Sequence, residues 1–215
     1  KGNVERIAGT EISVDFAPGT MHMVGLFINR EDPILKNRLD TLIQARKERN
    51  MLMLAAISEL VGREVRQEHI SSENMGELGR PHLAKFLINE KVVETFEEAF
   101  EKYLGKGKQL YREKKRFSFD ESVEMIHSAG GVAILAHPMS LKLEKDEYLP
   151  YIKTLADKGL DAVETYCSYH SESDTLFFND IAKRLSLPVS AGSDYHGENK
   201  HNVKLGKWNC RLHNH

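Results

Sequence analysis

The sequence predicts an α/β fold built around a parallel sheet or barrel, and three features of the chain carry that expectation. Short apolar runs at 132–136, 162–166 and 188–191 alternate with amphipathic stretches at 146–158 and 173–185. Parallel strands need crossover connections of about helix length, and this alternation supplies them. A pair of short strand patterns opens the chain, and a long segment of helical period separates that pair from the alternating half.

Residues 7–14 and 22–28 alternate at strand period and are joined by a turn at Pro18-Gly19, so they are expected to pair or lie side by side. From 34 to 61, Leu35, Leu39, Leu42, Ile43, Leu54, Ile57 and Val61 recur at helical spacing, with Arg46, Lys47, Glu48 and Arg49 between them. A second helix is expected from Pro81 through Leu83, Phe86 and Leu87, proline being suited to a first helical turn, and a third over 95–104. After a basic stretch, Ser118-Phe119-Asp120-Glu121 has the spacing of a capping box for a helix over 122–129, which Gly130-Gly131 ends. The expected organisation is a sheet-bearing domain of residues 1–33 and 117–215 that holds residues 34–116 as a helical insert, or cap subdomain. No internal repeat or low-complexity tract interrupts it.

A chain of 215 residues with 40% hydrophobic residues can bury a real core. With 30 basic and 32 acidic residues intermixed, a net charge of −2 gives no global attraction to a polyanion or a membrane surface. No apolar run reaches the roughly 20 residues of a spanning helix, and two cysteines, Cys167 and Cys210, form no disulfide framework. A cytoplasmic protein without membrane association or an obligate protein partner is the expectation. Lys1-Gly2-Asn3 is neither an initiator methionine nor a signal peptide, so the chain is expected to open inside a longer protein.

The chemistry collects at the ends of the expected strands. His137 follows the apolar run 132–136, and Asp194 and His196 follow 188–193. In parallel α/β folds the carboxyl ends of the strands face the active site. Glu11 and His22 belong to the first strand pair and could join the same rim. Neutral imidazole and carboxylate are the usual ligands of zinc, manganese and iron, so the five together could hold one or more such ions. A lone histidine after a strand is more often a loop or capping residue; the joint pattern is harder to dismiss.

Gly9-Thr10-Glu11-Ile12-Ser13, Met21-His22-Met23-Val24-Gly25-Leu26, Ala136-His137-Pro138 and Gly192-Ser193-Asp194-Tyr195-His196-Gly197 together resemble the motifs of the polymerase and histidinol phosphatase (PHP) family of metal-dependent phosphoesterases. Order and spacing match over nearly the whole chain. Arg80-Pro81-His82-Leu83-Ala84-Lys85-Phe86-Leu87 resembles the branch with a helical insert, which includes nucleotide phosphatases and a 5′–3′ exoribonuclease. The resemblance implies a distorted (β/α)₇ TIM-like barrel holding two or three Mn, Zn, Fe or Mg ions in the intact protein. Glu11 would be a bridging or near-bridging carboxylate, His22 and His137 ligands of the ions it contacts, and Asp194 and His196 the catalytic completion of the cluster. The family's early His-x-His motif, with the acidic residue and histidine that follow it, is absent here, so the first strands of the barrel are expected to be missing. Relatives also place glycine and arginine just after the proline, where this chain has Met139-Ser140.

The implied activity is hydrolysis of a phosphate ester of a nucleotide or short oligonucleotide by a metal-activated hydroxide. Arg80 and His82 of the insert and His170 in Tyr169-His170-Ser171 are the candidate substrate contacts, against the plainer alternatives of exposed helix-start residues and a surface-loop histidine. The basic run 106–116, with Tyr111 inside it, could meet phosphates and stack on a base, or be a solvated loop. Lys200, His201 and Lys204 could extend it, while His213 and His215 fall outside the motif pattern. Two other readings stay open: an amidohydrolase-type metal hydrolase, disfavoured because no carbamylated lysine is evident at a strand end, and a catalytically impaired metal- or nucleic-acid-binding module.

Overall fold

The structure is a computed structural model in which residues 5–70, 78–197 and 203–207 are described. Cys210, Lys200, His201, His213 and His215 lie outside these residues. The described residues fall into two compact units, one within 1–37 and 116–215 and the other within 38–115.

The first unit is organised by a five-stranded sheet in the order β1 (Gly9–Val14), β2 (Met21–Leu26), β3 (Val132–Ala136), β4 (Ala162–Cys167), β5 (Val189–Gly192). β3, β4 and β5 are parallel, as the helical crossovers α5 (Lys145–Asp157) and α6 (Glu172–Arg184) require. The sheet as a whole is mixed, however: β1 pairs antiparallel with β2, and β2 antiparallel with β3. Among the described residues the sheet is open, with β1 and β5 at its opposite edges, and the expected partial barrel is represented only by this sheet. β2 reaches β3 through a long excursion rather than a single crossover helix, so nothing obliges those two strands to run parallel.

Alternation sorts the first two strands by face. Ile12, Val14, Met21 and Met23 are buried, while Glu11, Ser13, His22 and Val24 turn to the other side. The register sets Ser13 opposite His22, and His22 opposite Ala136, one residue before His137. Helix α4 (Phe119–Ser128) starts on the expected capping box, with Glu121 N–H donating to Ser118 Oγ at 3.2 Å and Ser118 N–H to Glu121 Oε2 at 2.8 Å. It packs Met125 and Ile126 against the sheet, where Gly25 leaves room for Ile126. Ser171 caps α6 in the same manner, reciprocated by Asp174. One end of the sheet thus carries the loops that follow β3, β4 and β5.

The second unit is helical. It holds most of α1 (Pro33–Val61), α2 (Arg80–Asn89) and α3 (Phe96–Ala99), which runs into a π-helical turn at Phe100–Leu104. The expected third helix is therefore an α-helical turn capped by Thr95 Oγ1, followed by a wider turn. Met53, Ile57, Leu83, Leu87, Leu104 and Leu110 form a core of this unit's own. Among the described residues no helix is long and apolar enough to cross a membrane.

Candidate metal centre

Glu11, Thr20, His22, His137, Met139, Ser140, Tyr169, Asp194 and His196 line one cavity of about 350 Å³ in the sheet-bearing unit. All five residues expected to bind metal are among them. Glu11 Oε1 lies 2.9 Å from His22 Nδ1 and 3.4 Å from His137 Nε2, and those two nitrogens are 3.3 Å apart. A tetrahedral ion with ligands at about 2.0–2.1 Å separates its donors by about 3.3–3.4 Å, close to this triangle. Glu11 belongs to a second set as well: its carboxylate and the ligand atoms of Asp194 and His196 all lie within 4.8 Å of one another. Two donor groups that share one carboxylate, rich in imidazole and oxygen, suit a borderline divalent metal.

The surrounding hydrogen bonds settle which ring nitrogen of His137 is free. Ser140 Oγ donates its one proton to Thr20 O at 2.8 Å, so at 3.1 Å it accepts from His137 Nδ1–H. In the neutral ring Nε2 then carries its lone pair toward Glu11 and His22, and in the protonated ring it donates to Glu11 Oε1 at 3.4 Å. One proton on His22 Nδ1 satisfies both contacts of that nitrogen, and a divalent cation among the three atoms would take its place. Gly19 allows this arrangement, since a Cβ there would overlap the carbonyls of Ser140 and Leu141.

The electrostatics suit a cation. Hydrogen bonds from His137 and His22 hold the Glu11 carboxyl far below the usual carboxylate range. Burial opposes the charged form of His137, but its bond to Glu11 and the neighbouring Glu164 and Asp194 carboxylates outweigh it and raise its pKa above the ordinary imidazole value. Asp194 is 7% exposed at its side chain and has φ 50°, while His137 has φ 27°. Non-glycine residues at positive φ are uncommon and strained, and such strain gathers at functional sites.

The other expected site residues are used differently. His170 is fully buried: its Nδ1–H donates to Thr165 O at 2.8 Å, and its ring stacks on Phe178 at 5.1 Å. A surface contact to substrate from this ring is therefore corrected to a place in the core behind β4, where burial lowers its pKa. In the helical unit His82 Nδ1 accepts from Gly79 N–H at 3.1 Å and so closes the start of α2. Exposed Arg80 lays its guanidinium over both Phe100 and Tyr111, at 5.7 Å from each centroid. Tyr111 is thus already stacked by an arginine, and Arg112 turns back to donate to Gln109 O and Tyr111 O.

Two groups escaped the sequence reading. Tyr169, on the loop after β4, sets its ring edge-on to His137 at 5.9 Å and lines the cavity. Glu164 is 9% exposed in β4 and accepts the His137 main-chain N–H at 2.9 Å, with burial, then Asp194 and Glu11, pushing its carboxyl pKa up against that bond. A lone carboxylate inside the apolar strand Ala-Val-Glu-Thr-Tyr-Cys was the available signal, because charged residues are seldom buried without a partner.

No family profile matches the chain. It is 28% identical over 190 residues to the 5′-3′ exoribonuclease Rnm of Salmonella typhimurium, covering 88% of this chain and 65% of that protein. It is 31% identical over 190 residues to a 3′,5′-nucleoside bisphosphate phosphatase of Chromobacterium violaceum, covering 87% and 66%. The chain thus spans about two thirds of the length of these relatives. Among solved structures, one described as an amidohydrolase from Chromobacterium violaceum, with bound sulfate and no metal, superposes with TM-score 0.70 at 30% identity over 92% of this chain and 71% of that one. Another, described as a metal-dependent phosphoesterase from Bifidobacterium adolescentis, gives TM-score 0.70 at 25% identity over 94% and 71%.

Proposed function

Because the chain belongs to the family of metal-dependent phosphoesterases represented by these relatives, consistent with the PHP family its motifs resemble, we propose that it hydrolyses a phosphate ester of a nucleotide or short oligonucleotide. The observation that carries the proposal is the triangle of Glu11, His22 and His137, with donor atoms 2.9, 3.3 and 3.4 Å apart. Glu11, His22 and His137 would hold one Mn, Zn, Fe or Mg ion, and Glu11 with Asp194 and His196 a second. An ion held there would supply activated water at neutral pH and offset charge on phosphoryl oxygens.

The chain's own groups do the rest. Ser140 keeps His137 in the tautomer that leaves Nε2 free. Asp194 brings negative charge to the rim from a nearly buried position, and His196 Nδ1 contacts both the main-chain oxygen and the carboxylate of Asp194, at 2.9 and 3.2 Å. Its Nε2 is then the atom available to a ligand or to a proton in transit. Arg80 and His82 beside it are the substrate-binding candidates of the helical unit. We read the open sheet as part of a PHP-type barrel and the helical unit as its insert.

The description of the Chromobacterium violaceum structure as an amidohydrolase keeps one alternative in play. Elemental analysis of the purified chain, followed by turnover of a nucleoside 3′,5′-bisphosphate, a 5′-phosphorylated oligoribonucleotide and an N-acyl amino acid with added Mn²⁺, separates the readings. Release of inorganic phosphate or nucleotide is expected, abolished by Glu11→Gln. Amide cleavage alone would favour the amidohydrolase, and bound metal with no turnover would favour a binding module.

A further inference from the structure

We propose that Glu164 is a positioning residue whose buried carboxylate, wedged between the ends of β3 and β5, holds the His137 main chain in the conformation that aims Nε2 at Glu11 and His22. The inference rests on the metal-site reading above.

His137 needs such a restraint. It follows β3 directly, with φ 27° and ψ 64°, where an L side chain is crowded, and it precedes Pro138, whose ring favours extended backbone in the residue before it. Two local preferences therefore act against the observed geometry, and something outside the segment has to oppose them. Ser140 N–H, which donates to His137 O at 3.0 Å, belongs to the same turn and travels with it. Glu164 does not: it stands on β4, the strand between β3 and β5, and its Oε2 accepts the His137 N–H at 2.9 Å. Its other oxygen lies against Gly192, the last residue of β5, where any Cβ would overlap Oε1. The carboxylate thus spans from the strand end that carries His137 to the one that leads into Asp194. Glu164 joins neither donor group, so its part is to hold a ligand and not to be one.

The test uses the full chain with Glu164→Ala, Glu164→Gln and Gly192→Ala. Three quantities are read: Mn²⁺ affinity by calorimetry, the His137 amide proton shift without added metal, and the thermal midpoint. Partners that orient a ligand typically contribute about 10–100-fold in metal affinity. E164A and G192A should each weaken Mn²⁺ binding by about that factor and move the His137 amide proton upfield. E164Q keeps an acceptor in place and should retain most of the affinity. Unchanged affinity in E164A and G192A, with only a lowered midpoint, would reduce Glu164 to a structural role and overturn the inference. E164Q losing as much as E164A would overturn it as well, pointing to a ligand or a charge effect. A wild-type chain that takes up no Mn²⁺ would count against the metal reading itself; the amide shift would then decide the positioning role, an unmoved His137 signal in E164A refuting it. Should E164A and G192A not fold, E164Q carries the test, with a smaller downfield shift and retained affinity expected, and loss of affinity refuting.

Discussion

Replacing Asp194 with asparagine separates a metal ligand from a carboxylate that merely satisfies the fold. Asparagine keeps the shape, tolerates the φ of 50° that Asp194 adopts, and removes only the charge. The ligand oxygens of Asp194 and Glu11 lie within 4.8 Å, so with an effective dielectric of about 20 their mutual repulsion is at least about 3.5 kcal/mol. Against its relief stands the contact from Asp194 Oδ1 to His196 Nδ1 at 3.2 Å, which involves a ring 45% exposed and is worth less than about 1 kcal/mol. His22 and His137 already offset part of the Glu11 charge, so the net gain lies below the full repulsion. Without metal, Asp194→Asn should therefore leave the thermal midpoint unchanged or raise it, by roughly 2–4 °C for each kcal/mol relieved in a chain of this size. Mn²⁺ affinity should fall by more than about 100-fold, beyond the loss of an outer partner, and turnover with it. Asp194→Ala serves as the contrast, because alanine at this φ adds strain of about 1–2 kcal/mol and should lower the midpoint. Calorimetry for Mn²⁺, a thermal scan in chelator, and hydrolysis of a nucleoside bisphosphate give the three readings. A midpoint lowered by about 1–3 kcal/mol with affinity and turnover intact would refute the reasoning and leave Asp194 as a hydrogen-bond acceptor of the fold.

Ser140→Ala removes the acceptor that selects the His137 tautomer, and Mn²⁺ affinity should drop by about 10–100-fold with a stability loss of about 1 kcal/mol; an unchanged isotherm would show that the tautomer is selected elsewhere. Gly19→Ala puts a Cβ into the Ser140 and Leu141 carbonyls, so both the midpoint and Mn²⁺ affinity should decline, and a wild-type affinity would uncouple that loop from the site. His170, whose folded pKa is depressed by burial, takes up its proton on unfolding, so its contribution to stability is complete above about 6.5 and falls as pH drops below that value. Urea melts at pH 7 and pH 5 should accordingly show a smaller acid loss in His170→Phe than in wild type, and parallel losses would count against a buried neutral ring. Arg80→Ala should raise KM for an oligoribonucleotide while leaving metal content untouched, and an unaltered KM would remove Arg80 from substrate binding.

The chain order alone yields much of the local structure. The capping box at Ser118, the glycines after α4, and the alternation of Ile12, Val14, Met21 and Met23 are short-range patterns, written in residues a few positions apart. The five candidate ligands could be named for the same reason, since each sits in a compact motif within or just after a strand. What the sequence could not supply is everything set by pairing between distant segments. The antiparallel register that puts His22 opposite Ala136 joins residues more than a hundred positions apart, and it is this register that brings His22 to His137. His170 and Glu164 mark the same limit: a histidine that reads as a loop residue is buried against Phe178, and an acidic residue in mid-strand reaches the main chain of another strand. Side-chain burial and hydrogen-bond partners depend on which elements pack together, and local spacing carries no record of that packing.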